Sequence, residues 1–161
     1  MRTKSLSVNF VNSSIAFLLL HVIGCSSAPT GPVASAPLSG KIGGQAFAGK
    51  IALATSSDTP SGKWIHLRIY ESDVKCGVFG TPEGRAVLMS PAEWKDGLSY
   101  DLGAGGEATL FAPPSSNTIA TIGRVEVISI GSSFLPGKVR VRAIYDGNNT
   151  VEGEVPVYSC M

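Results

Sequence analysis

The sequence predicts an all-β fold: an antiparallel β-sandwich or barrel of about eight to nine strands. Three observations lead there. Short apolar runs cut by glycine and polar clusters begin at Ser39. Several of them alternate apolar and polar residues, the period-two repeat of a strand with one buried face. No window of helical length carries an apolar stripe of period 3.6.

In "AFAGKIAL", Phe47, Ile51 and Leu53 share a side with Gly49. In "KWIHLRIY", Ile65, Leu67 and Ile69 fall on one face, and Trp64, His66, Arg68 and Tyr70 on the other. The segment "SPAEWKDG" departs from strand character. Ser90 suits an N-cap, Pro91 the first helical position and Glu93 the acidic arm of a capping box. Gly97 suits the stop. This predicts one short helical turn near 91–96. In "GLSYDL", Leu98, Tyr100 and Leu102 alternate with Ser99 and Asp101. "GAGGEA", Gly103 to Ala108, reads as a flexible hairpin loop. In "GRVEVISI", Val125 and Val127 oppose Arg124 and Glu126.

The last hairpin, "GKVRVRAIYDGNNTVEGEVPVYSC", turns near Asp146-Gly147-Asn148-Asn149. A two-residue Gly147-Asn148 loop sets Val141 against Glu154 and Arg140 against Val155, mixing faces. A three-residue loop shifts the register one way or the other and puts apolar residues opposite apolar ones. In one of these two registers Arg140 meets Glu154 and Arg142 meets Glu152. Register follows the buried face, which predicts an odd loop with Asn148 or Asn149 in the left-handed conformation. The calcium-loop pattern fails in "DGNNTVE", because Val151 stands where its glycine belongs.

The N-terminus reads as a processing segment. Arg2 and Lys4 open it, and Ile15 to Ile23 are apolar apart from His21. That run is far shorter than the roughly 20 residues of a spanning helix, so residues 1–24 are expected to be a cleaved secretory signal. Residues 26–38, "SSAPTGPVASAPL", carry no charge and hold three prolines. Such a stretch is expected to be an extended tether, reaching roughly 40 Å at about 3.1 Å per residue. The β domain is expected over residues 39–161.

The chain has three cysteines, Cys25, Cys76 and Cys160, an odd number for an exported protein. Val22-Ile23-Gly24-Cys25 resembles the lipobox of bacterial lipoproteins. The resemblance implies a diacylglyceryl group on the Cys25 thiol, cleavage before Cys25, and frequent acylation of its amine. Ser26 after the cysteine implies the outer membrane. A lipid anchor holds stably with two or more chains, so no spanning helix is required. With Cys25 so used, Cys76 and Cys160 remain, and outside the cytoplasm two thiols tend to oxidise. A disulfide between them is therefore expected. The domain as a whole resembles small β-rich lipoproteins of Gram-negative envelopes, through "LSGKIGGQAF", Cys76 and the closing hairpin. That resemblance implies an architecture and a location, not an activity.

Without Arg2 and Lys4 the chain carries 11 Lys/Arg against 12 Asp/Glu, a net charge of −1. That balance predicts no nucleic-acid partner. Enzyme signatures are weak. His66 is the only histidine after the signal segment, so any Ser-His-Asp site has to use it. No G-x-S-x-G elbow occurs. "SDVK" lacks the motifs that accompany S-x-x-K, and "PSGKW" lacks the first glycine of a phosphate loop. Two cysteines and one histidine without close spacing make no zinc site. No cofactor and no catalytic residue are expected. The expected function is that of a membrane-anchored envelope lipoprotein whose β domain binds or scaffolds, with an envelope protein or a glycan as partner. Trp64, His66, Arg68 and Tyr70 form the candidate ligand face; for a glycan, Trp94 would join them. The competing account is a central strand covered on both sides, with Trp64 and Tyr70 in a second core layer.

Overall fold

A computed structural model describes residues 29, 31–60, 62–77, 83–91, 93–103 and 106–161. Eleven strands follow one another: β1 (Ser39–Ile42), β2 (Gln45–Ala48), β3 (Ile51–Thr59), β4 (Gly62–Tyr70), β5 (Ala86–Met89), β6 (Ser99–Asp101), β7 (Ala108–Ala112), β8 (Ser116–Ala120), β9 (Ile122–Ser129), β10 (Gly137–Asp146) and β11 (Asn149–Ser159). Nine lie side by side in the order β6-β9-β10-β11-β3-β4-β5-β7-β8, and the β1–β2 hairpin branches from β11. The sheet curls into a half-barrel, bringing β8 against β10 and β1 against β7.

The all-β class is as expected, but the sheet is mixed. β3 runs parallel to β11, pairing Val157 with Ala52 and Ser159 with Ala54. The cause is local. β1 is antiparallel to β11 through Ser39–Lys41, so β2, antiparallel to β1, points the same way as β11. β3 continues in that direction after Gly49 and Lys50 and takes the next stretch of the same edge. Gly49 is where the chain steps across. A β-carbon there would lie 2.7 Å from Leu38 Cδ2 and 3.0 Å from Ile69 Cγ2. The step also exchanges faces. Phe47 enters the main core, whereas Leu53 joins a second cluster with Ile51 packed against it, so the shared side expected of these three residues is corrected.

The interior of the curl holds the main core. Ile65, Leu67 and Ile69 of β4 are buried, as are Val125 and Val127 of β9 and Val139, Val141 and Ala143 of β10. The outward face carries the second cluster, Leu53, Tyr70, Ala86 and Phe111, flanked by Ile51, Val74, Leu88 and Tyr158. Apolar side chains therefore sit on both faces of β3, β4 and β5.

The register of the last hairpin places Arg140 opposite Glu154 and Arg142 opposite Glu152. The turn differs from the three-residue loop expected. Asp146 pairs with Asn149 around Gly147-Asn148, and the register shifts at Tyr145. A bulge absorbs the extra residue. Among the described residues no non-glycine residue has positive φ, so neither asparagine is left-handed. Asp146 Oδ1 instead accepts from Asn148 N at 2.8 Å and Asn149 Nδ2 at 3.1 Å.

Two further expectations are corrected. No helix occurs among the described residues; Pro91 and Glu93–Lys95 are irregular, and the chain turns at Asp96–Gly97. The capping residues had no apolar stripe behind them, and in proteins most helical stability comes from packing such a stripe. The "GAGGEA" segment joins strands that do not pair, since β6 lies on β9 and β7 on β5. It is a crossover rather than a hairpin loop.

Candidate functional site

The outward face of β9, β10 and β11 is a ladder of charge. Arg142 Nη2 donates to Glu152 Oε1 at 2.7 Å and Arg140 Nε to Glu154 Oε2 at 2.9 Å. Lys138 Nζ reaches Glu154 Oε1 at 3.0 Å. Arg124 bonds Asp101 at 2.9 Å and Glu126 at 3.1 Å. Arg124 and Arg142 are cross-strand neighbours, so two cations adjoin and the carboxylates around them offset their repulsion.

Of the segment expected to be a free tether, Pro29 and residues 31–38 lie across this ladder. Arg142 Nη1 donates to the carbonyls of Pro29 (3.1 Å) and Gly31 (2.9 Å), and Nη2 to that of Pro32 (2.8 Å). In return Val33 N donates to Glu126 Oε1 at 3.3 Å and Ala34 N to Glu152 Oε1 at 3.0 Å. Leu38 N bonds Glu154 O at 2.9 Å, and Glu154 N bonds Ala36 O at 2.7 Å. Val33 and Leu38 are buried. The uncharged composition that reads as a spacer also suits this role. A segment with no charge of its own leaves its carbonyls free for a guanidinium, whose planar fork presents five donors. The hydrogen bond from Arg142 holds the Glu152 carboxyl below its ordinary range, and that from Lys138 does the same for Glu154.

Cys25 lies outside the described residues. Cys76 and Cys160 are joined in a disulfide, with their α-carbons 5.5 Å apart. The bond pins the connection after β4 to the end of β11. Beside it, Ile51, Leu53, Val74, Phe134 and Tyr158 line a largely apolar cleft of about 700 Å³, with Asp73, Lys75 and Ser133 also contributing. A cleft of this size and lining has the character of a binding site. Sequence reasoning missed it because its residues come from four separate segments.

The expected ligand face is divided. Tyr70 is buried in the second cluster and leaves the face. Trp64 is 53 % exposed. His66 and Arg68 are half-buried and line a hollow of about 370 Å³ with Leu88, Met89, Ser90, Glu107 and Thr109. Trp94 is partly buried and packs against the main core. Ser57 Oγ lies 2.9 Å from His66 Nε2. That contact is one element of a nucleophilic site, but among the described residues no carboxylate bonds the other ring nitrogen, the support that orients a triad histidine. No group of three or more His, Cys, Asp or Glu gathers as a metal site among the described residues. No protein-family model, no curated protein and no solved structure matches the chain.

Proposed function

We propose that the chain is an envelope lipoprotein, anchored in the outer membrane through lipid on Cys25, whose β domain is a non-enzymatic binding or scaffolding module. One observation carries the reading. With Cys76 and Cys160 bonded to each other, Cys25 is the remaining cysteine of three, and it follows the basic start and apolar run of an export signal. The disulfide suits an oxidising compartment, and Cys25 in the lipobox pattern suits acylation. The test is Cys25→Ala in cells fed an alkynyl fatty acid. Labelling and membrane retention should both disappear. A mutant that still carries acyl chains and sediments with membranes overturns the reading.

The exposed Trp64 beside His66 and Arg68 supports a glycan as the partner, since aromatic and cationic side chains stack on and hydrogen-bond to polar rings. Trp fluorescence titrated with envelope polysaccharides tests that version, and no response to any of them ends it. The Ser57–His66 contact provides the check on the non-enzymatic part. A fluorophosphonate probe should leave the protein unlabelled; labelling abolished by Ser57→Ala would make it a hydrolase.

A further inference from the structure

We propose that the domain lies flush on the bilayer, with the outward face of β11 toward the lipid and Phe134 and Leu135 inserted among the headgroups. The inference rests on the lipid anchor proposed above. It begins with reach. A free spacer over residues 26–38 would allow a separation of roughly 40 Å. The bonds between Arg142 and the carbonyls of Pro29, Gly31 and Pro32, here called the clasp, remove most of it, because the chain is already bound at Pro29, four residues after Cys25. Four residues span at most about 14 Å. An acylated Cys25 therefore brings the bilayer to the clasp itself.

The second step identifies what the bilayer meets. Glu152 and Glu154, which hold the clasp, alternate along β11 with the core residues Val151, Val155 and Val157. Tyr158 is on the same outward side, four residues beyond Glu154, or about 13 Å at strand rise. Tyr158 and Phe134 line the apolar cleft together. The clasp and the cleft thus share one face.

The third step concerns the tip of the β9–β10 connection. Phe134 is 87 % and Leu135 73 % exposed. The backbone holds them there. Ser132 Oγ accepts from Phe134 N at 3.2 Å and Leu135 N at 3.0 Å, Ser132 N donates to Leu135 O at 2.7 Å, and Ser159 N donates to Ser132 O at 3.2 Å. Two adjacent large apolar side chains on a turn tied to β11 form a small wedge. Apolar side chains of this kind bury into the boundary between headgroups and acyl chains, and such patches mark interaction sites. The charges around them are of both signs: Asp73 and Lys75 at the cleft, and Lys138 already bonded to Glu154. Insertion is therefore apolar rather than electrostatic, and salt should change it little.

The test uses the lipidated chain in vesicles of phosphatidylethanolamine and phosphatidylglycerol with brominated acyl chains. The reporter is Phe134→Trp in a Trp64→Phe background; the same background with Phe134 retained sets the baseline from Trp94. The reporter should be quenched at least twofold beyond that baseline, with emission shifted to the blue. Quenching no greater than the baseline overturns the proposal, and leaves the cleft to a soluble or protein ligand. Arg142→Gln, checked for folding by near-UV circular dichroism, should open the clasp and return the reporter toward baseline with the lipid still attached. Undiminished quenching in that variant overturns the role of the clasp. Mass spectrometry of Cys25 keeps the two readings apart. If Cys25 carries no acyl group, the lipoprotein reading fails. The same measurement with a maleimide phospholipid coupled to Cys25 then tests the membrane-facing surface alone.

Discussion

Gly153 lies directly beneath Leu38: a β-carbon added to it would stand 2.6 Å from Leu38 Cα, and equally 2.6 Å from the Ala36 carbonyl oxygen. Its φ of 142° is also in the region that favours glycine. Gly153→Ala should therefore force the crossing segment off β11 and destabilise the fold by about 1–3 kcal/mol. Limited proteolysis gives the readout. Cleavage between residues 29 and 38 should accelerate while the far-ultraviolet strand signal is kept. Unchanged cleavage would show that the segment tolerates the extra carbon.

Arg142 ties three backbone carbonyls to Glu152 with one guanidinium whose side chain is 8 % exposed. Its partners keep access to water, since Pro29, Gly31 and Pro32 are exposed and the Glu152 side chain is 38 % exposed, so only part of the loss goes uncompensated. Arg142→Gln should cost about 1–3 kcal/mol in urea unfolding. Lys138→Gln is the comparison: Lys138 is well exposed, so its loss should cost under about 1 kcal/mol.

The carboxylates give the fold an acid limit. Glu152 and Glu154 have folded pKa values below their ordinary ones, through Arg142 and Lys138 respectively. The stability they contribute is fully present above about pH 4.3 and is lost as pH falls through the folded values. Thermal midpoints should be flat from pH 7 to about 5 and decline below that. In Arg142→Gln the decline should be shallower, because Glu152 no longer has its shift. Equal acid slopes in the two proteins would remove Glu152 from the explanation.

The disulfide joins residues 84 apart in sequence. Closing a loop of that length is expected to stabilise by about 4–5 kcal/mol on the chain-entropy model, an upper figure. Reduction, or Cys76→Ser with Cys160→Ser, should lower the urea midpoint markedly and loosen the cleft lined by Val74 and Tyr158. A midpoint unchanged by reductant would mean the two segments are held by packing alone.

Much of this fold was legible from side-chain alternation. The buried face of β4, the inward valines of β9 and β10, and the Arg140–Glu154 and Arg142–Glu152 neighbours all follow from apolar residues seeking one side. What escaped was decided elsewhere. The Tyr145 bulge gives the expected register with a shorter loop, and alternation alone cannot separate the two. The parallel β11–β3 pair depends on where the β1–β2 hairpin sits on the edge of β11, a contact between residues more than a hundred apart. The clasp escaped because proline-rich composition describes what a segment does alone, and here Arg142 supplies its partners. Gly153 between two glutamates, with Val33 and Leu38 as isolated apolar residues, were the only local hints. Of the expected ligand face, Tyr70 lies in the second cluster, as the covered-layer account has it, whereas Trp64 stays exposed against that account; alternation alone does not say how far a covering layer extends along a strand.

The placement of β11 bears on the order in which the sheet can form. β11 follows the other ten strands along the chain, yet it joins β10 on one side to β1 and β3 on the other. Until it arrives, β9–β10 and β3–β4 have nothing between them, and the long-range pairings that close the sheet cannot form. A chain made from its N-terminus therefore cannot close the sheet until β11 is complete. Only then can Glu152 bind the Ala34 amide and Glu154 the backbone of Ala36 and Leu38.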